Sequence, residues 1–128
     1  VCIAKRRDHA DRLRAALKDV SSQLVLPTDD ADGRHVYAQF TIRHPKRDAI
    51  SAALRAKGVG SEVYYPMPMP YQKVFASLGH KPGEFPLSER ACAEVLSIPV
   101  HSELELPEIE TVCHAVRDAV RAVEGGAS

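Results

Sequence analysis

The sequence predicts an α+β fold, a small and mainly antiparallel sheet covered chiefly on one face by helices. Three observations predict it. Apolar residues over 107–123 (Ile109, Val112, Cys113, Val116, Val120 and Val123) recur at helical spacing, the strongest such signal in the chain. Residues 35–43 alternate, with Val36, Ala38, Phe40 and Ile42 on one face and Tyr37, Gln39, Thr41 and Arg43 on the other. Extended and helical segments then follow in the order helix, strand, strand, helix, strand, helix, helix, short strand, helix, an α+β layout.

Each element has a local reason. Leu13 and Leu17, four apart among arginines and aspartates, predict an amphipathic helix over 6–19. Leu24, Val25 and Leu26 predict a short strand over 23–27, and Asp29 to Gly33 a polar turn. After the strand 35–43, Pro45 opens a helix carrying Ile50, Ala53 and Leu54, and Gly58 stops it. Val59 to Tyr65 is a further strand, with Val59, Ser61, Val63 and Tyr65 on one face and Gly60, Glu62 and Tyr64 on the other. Gln72 to Leu78 is a short helix ended by Gly79, and 81–85 a turn. Pro86 opens a helix whose inner stripe is Leu87, Ala91, Cys92, Val95 and Leu96. Ser97 to Val100 is a short extended piece, Pro107 opens the last helix, and Gly125 to Ser128 frays.

With 128 residues, positions 1–128 read as one domain able to bury a core without disulfides or metal. Seventeen basic and seventeen acidic residues balance, so no net charge draws the chain to nucleic acid or to a membrane surface. No apolar run reaches bilayer-spanning length, and no segment has the pattern of a signal peptide. The start at Val1 inside a charged stretch reads as an interior cut of a longer protein. Cys2, Cys92 and Cys113 are odd in number and widely spaced, with Cys92 and Cys113 on apolar helix faces, which reads as small buried hydrophobes in a reducing cytoplasm.

Catalytic and metal-binding patterns do not emerge. The six histidines are not paired with each other, Cys or Asp at ligand spacing. There is no phosphate-cradling glycine loop and no nucleophile elbow. Glu103 and Glu105 flank a helix start, where they complement its dipole. What stands out is the segment 63–72. Pro66, Pro68 and Pro70 stiffen it and bias their preceding residues to extended backbone, so that Tyr64, Tyr65, Tyr71 and Gln72 sit on a semi-rigid loop. Two readings stay open. The tyrosines are sheet formers, or, with Tyr37, Gln39 and Arg43, they form a wall for a polar, hydroxyl-rich or anionic ligand.

An ordered set of segments carries a resemblance. HVYAQFTIR (35–43), RDAISAALRAKGV (47–59), EVYYPMPM (62–69) with Gln72, KVFASLG (73–79), FPLSERACAEVLSIPVH (85–101) and LPEIETV (106–112) resemble the C-terminal domain of the DegT/DnrJ/StrS family of sugar aminotransferases. The resemblance implies the small domain of the aspartate-aminotransferase fold (fold type I of pyridoxal-phosphate enzymes). It implies a full-length cytoplasmic homodimer that uses pyridoxal 5'-phosphate to move an amino group, usually from glutamate, onto a keto group of a nucleotide-linked sugar. The products feed lipopolysaccharide, O-antigen or antibiotic sugars. The cofactor lysine and phosphate groups belong to the family's N-terminal domain, so no catalytic residue is expected among Lys5, Lys18, Lys46, Lys57, Lys73 and Lys81, and this chain alone is expected to be inactive. By the same resemblance, Tyr64, Tyr65, Gln72, Tyr37 and Gln39 are the substrate-binding candidates. Pro70 stands where family members commonly have a histidine, so a side-chain donor is missing there. Two alternatives remain: a free-standing ligand-binding or regulatory module without catalysis, and a pyridoxal-phosphate sugar dehydratase on the same fold.

Overall fold

A helix formed near the C-terminus gathers the rest of the chain around itself. The computed structural model describes residues 2–126. Helix α1 spans Cys2–Leu17, strand β1 Phe40–Arg43, helix α2 Arg47–Ala56, helix α3 Pro86–Glu94, strand β2 Val95–Ile98 and helix α4 Leu106–Gly125. Helix α4 buries Ile109, Val112, Cys113, Ala115, Val116, Ala119 and Val120, the stripe its periodicity announces. It packs against α1 and α2. Its start is closed by a capping box, in which Glu105 and Glu108 each satisfy a backbone N–H of the other, with Pro107 in the first turn. Arg117 donates to the Ala16 carbonyl at 3.2 and 3.3 Å and so satisfies an acceptor in the last turn of α1.

Strands β1 and β2 pair antiparallel, with Phe40 opposite Ile98 and Arg43 opposite Val95. Single bridges widen the sheet on each side: Val25 exchanges two 2.9 Å bonds with Arg43, and Glu62 pairs with Ser97 at 2.8 and 3.0 Å. Phe40, Ile42, Leu96 and Ile98 are buried in the same core as Leu13, Leu17, Ile50 and Leu54. Helix α2 ends in a Schellman turn. Gly58, at φ 75°, supplies the left-handed residue, and the N–H groups of Gly58 and Val59 reach the Arg55 and Leu54 carbonyls, both at 3.0 Å. Arg47 in the first turn of α2 donates to the carbonyls of Cys92 and Val95 at 3.0 and 2.8 Å, tying α2 to the α3–β2 junction.

The α+β class and the small antiparallel sheet hold, and several boundaries move. The expected strands 23–27 and 59–65 shrink to single bridges at Val25 and Glu62. The strand 35–43 keeps only residues 40–43, because the backbone inverts at Tyr37. The final extended piece lies at 95–98 rather than 97–100. The expected helix 72–78 is a 3₁₀ segment, Lys73–Leu78, preceded by a 3₁₀ turn at Met69–Tyr71, and neither buries a residue. The inner stripe assigned to α3 is corrected: no α3 residue is fully buried, and Leu87 is 85% exposed. Its apparent periodicity ran across two elements, since Val95 and Leu96 belong to β2, where period two applies. Ala127 and Ser128, part of the expected frayed end, lie outside the described residues.

Leu13 is fully buried in α1, which packs on α4. Leu13→Ala is expected to cost about 2–5 kcal/mol, read as a lower urea midpoint at an unchanged slope.

Candidate functional site

The tyrosine pair is split between two grooves. Beyond the Glu62–Ser97 bridge the segment is no longer a strand, and Tyr64 and Tyr65 line different surfaces. Tyr64 lines a groove of about 300 Å³ together with Ala38, Gln39, Glu62 and His101, over a floor that includes Ser97. Tyr65 lines a different groove of about 240 Å³ with Met67, Met69, Ser88 and Cys92, against α3. Both phenols are more than half exposed. The first groove is the more polar of the two: an amide, a carboxylate, a phenol and an imidazole line it beside Ile98, Pro99 and Val100, and Ser97 Oγ is held by Thr41 Oγ at 2.9 Å. The second is lined by two thioethers, a thiol, one phenol and the Ser88 hydroxyl.

The first groove exists because the β1–β2 register brings three distant segments together. Phe40 opposite Ile98 sets Gln39 beside the segment that leads to His101, and the Glu62–Ser97 bridge adds Glu62 and Tyr64. His101 and Glu62 were not singled out in the sequence. Only the pairing register reveals them, because neither carries a motif of its own.

The structure separates the other candidates. Tyr37 was expected on the polar strand face with Gln39, and it is in the core instead, 1% exposed. Its φ of 48° breaks the alternation and turns the ring inward, towards Phe40 at 6.0 Å. Its hydroxyl accepts from Arg14 and donates to Asp29 at 3.1 Å. Burial alone would raise the Asp29 carboxyl, yet the bonds from Tyr37 and the His35 N–H, with Arg7 and Arg14 nearby, bring it below its ordinary value. Burial first, and Asp29 second, push the Tyr37 phenol up. Gln72 lines neither groove described above; its Nε2 donates to Met69 Sδ at 3.5 Å.

The proline loop is pinned at its far end. Tyr71 OH lies against both the Glu89 carboxylate and the Lys81 carbonyl, the latter at 2.8 Å. Glu89 also accepts from the Gly83 N–H at 2.7 Å. The Tyr71 bond, then the Gly83 bond, lower the Glu89 pKa, while burial and then Glu89 raise that of Tyr71. Between the 3₁₀ turns Gln72 is extended, at φ −67° and ψ 147°.

Nothing here builds a cofactor or metal site. All six lysines are exposed on the surface, and Lys57 is engaged by Asp118 at 2.7 Å. A Schiff-base lysine needs a desolvated pocket or a cationic neighbour to lower its pKa, and none of the six lines the polar groove. The described residues of this chain therefore do not fit pyridoxal phosphate by themselves. Among them no cluster of three His, Cys, Asp or Glu could hold a metal, and no helix is long and apolar enough to cross a membrane. Cys113 is a buried thiol whose pKa is raised first by burial, which makes it a poor nucleophile.

The family model of the DegT/DnrJ/EryC1/StrS aminotransferases matches residues 1–117. The chain belongs to this family. It is 41% identical over 118 residues to a pleiotropic regulatory protein of Geobacillus stearothermophilus, covering 91% of this chain and 32% of that one. It is 38% identical over 98 residues to the UDP-N-acetyl-3-dehydro-alpha-D-glucosamine 3-aminotransferase of Acidithiobacillus ferrooxidans, covering 77% of this chain and 26% of the relative. The fold matches S. venezuelae DesV in complex with a ketimine intermediate, with a TM-score of 0.88 at 28% identity over 93% of this chain and 32% of that one. It also matches a DegT DnrJ EryC1 StrS aminotransferase from Brucella abortus, with a TM-score of 0.80 at 31% identity over 91% of this chain and 31% of that one. The chain thus spans about a third of the length of the relatives it matches, and its architecture is that of a part of the sugar-aminotransferase fold.

A carboxylate with a lowered pKa contributes its bonds above the ordinary value of about 4.3 and loses them as the pH falls through its lower folded value. Amide protection in 69–79 is therefore expected to fall on acidification below about pH 4, and Glu89→Gln to flatten that dependence, as read by hydrogen-exchange protection factors.

Proposed function

We propose that this chain is the small, C-terminal domain of a pyridoxal-phosphate aminotransferase that transfers an amino group from glutamate to a keto group on a nucleotide-linked sugar. The observation that carries this reading is the family match over residues 1–117, with relatives about three times as long whose names specify sugar-nucleotide amination. The named substrates of those relatives are UDP- and dTDP-linked sugars. Pyridoxal phosphate is the electron sink for amino transfer when bound. Its lysine and phosphate-holding groups belong to a preceding cofactor domain in this reading. The full-length protein is a cytoplasmic homodimer in this reading, and its product enters lipopolysaccharide, O-antigen or a related surface or secondary sugar.

The part assigned to this chain is recognition. In the polar groove, the Gln39 amide, the Tyr64 hydroxyl, the Glu62 carboxylate and the His101 imidazole offer both donors and acceptors to sugar hydroxyls. Tyr65, on the Met-lined side, and Gln72, on the stiff loop, are assigned to the periphery of the same substrate. A regulatory role without catalysis is the second reading, favoured by the name of the Geobacillus stearothermophilus relative.

The full-length protein decides between them. Its absorbance spectrum is expected to show a cofactor band that shifts on adding glutamate, with amination of a UDP- or dTDP-linked keto sugar. A full-length protein without that band would overturn the aminotransferase reading in favour of the regulatory one. Within the active protein, Tyr64→Phe is expected to raise the KM for the keto sugar about five- to tenfold, the loss of one or two hydrogen bonds. Tyr65→Phe is expected to do so less, with the cofactor bound in both variants. Steady-state kinetics on the two variants checks both values.

A further inference from the structure

Consecutive residues of a regular strand point to opposite faces. Ala38 and Gln39, just before β1, lie outside that pattern: both line the groove of Tyr64 and His101, and both also line the neighbouring groove with Pro27 and Thr41. The departure begins one residue earlier. Tyr37 has φ 48°, a conformation uncommon for any residue with a side chain other than Asn or Asp. It is the one non-glycine residue with positive φ among the described residues.

Several contacts hold it there. The ring is buried between Arg14, whose guanidinium carbon lies 5.6 Å from the ring centre, and the rings of His35 and Phe40 at 4.3 and 6.0 Å. The hydroxyl bridges the Arg14 guanidinium and the Asp29 carboxylate. The Tyr37 N–H donates to His35 Nδ1 at 2.8 Å, and Asp29 is in turn held by Arg7 at 3.4 Å and by the His35 N–H at 3.3 Å. Backbone strain of this kind persists only where the surroundings over-determine it.

We propose that Tyr37 is a positioning residue: clamped between Arg14 and Asp29, it holds the inverted backbone that turns Ala38 and Gln39 into the groove beside Tyr64 and His101. The consequence for activity rests on the reading of that groove as the keto-sugar wall. The clamp spans two parts of the chain, since Arg14 is on α1 and Asp29 lies beyond the Val25 bridge. Removing the tyrosine hydroxyl leaves the ring packed and cuts both polar ties at once.

The test uses the full-length protein and the variants Tyr37→Phe, Gln39→Ala and their double. Tyr37→Phe is expected to raise the KM for the keto sugar about five- to tenfold with little change in kcat. Because it acts through Gln39, the double variant is expected to be no worse than Gln39→Ala. A crystal structure of Tyr37→Phe is expected to show residue 37 out of the positive-φ region and Gln39 out of the groove. If Tyr37→Phe does not fold, Asp29→Ala cuts one tie from an exposed position and is read in the same way. Multiplying KM effects, or an unchanged backbone at 37–39, would overturn the positioning role. A moved Gln39 with an unchanged KM would uphold the positioning role and overturn the reading of the groove instead.

Discussion

The register of β1 against β2 is the constraint on which the rest of the molecule depends. Four residue pairs set it, from Phe40 opposite Ile98 to Arg43 opposite Val95. Because side chains alternate along a strand, a slip of one residue would send either Phe40 and Ile42 or Leu96 and Ile98 out of the core. The same pairs align the chain ends on which the polar groove is built, Gln39 before β1 and His101 after β2. Arg47 reinforces the register from α2, by holding the carbonyls of Cys92 and Val95 where α3 becomes β2.

Around this narrow sheet the helices do unequal work. Helix α4 supplies the broad apolar face and gathers α1 and α2 against it. Its C-terminal end is tied back by Glu124, which accepts from His44 Nε2 at 3.0 Å and from Ser21. His44 Nδ1 accepts the Lys46 N–H, so its ring proton is assigned to Nε2. Helix α3 is different in kind. It buries no residue fully and presents Leu87 to the outside, and the loop before it exposes Val74, Leu78, Met67 and Met69.

Much of the site region was legible in the residues themselves. The proline-stiffened loop and the tyrosine pair at 64 and 65 follow from local rules, because proline geometry acts within a few residues; Gln39, expected on a polar strand face, lies just before β1 instead. The same rules misplace Tyr37. Alternation assigns it to the face of Gln39, and the clamp of its buried ring by Arg14 and Asp29 overrides that assignment at a distance of 23 and 8 residues along the chain. Leu87 fails for a related reason, since a helical stripe counted across the end of α3 borrowed Val95 and Leu96 from a strand.

By itself the sequence determined the α+β class, the long apolar face of α4, the Gly58 stop of α2 and the family to which the chain belongs. Each is written in contiguous residues, where helical period, turn chemistry and ordered motifs are local properties. The tertiary structure decided that Tyr64 and Tyr65 serve two different grooves, that His101 and Glu62 join Gln39 in one of them, and that Tyr37 stands behind that groove rather than in it. These depend on strand register and on side-chain bonds between segments far apart in the chain, and no local pattern encodes which distant residues will meet.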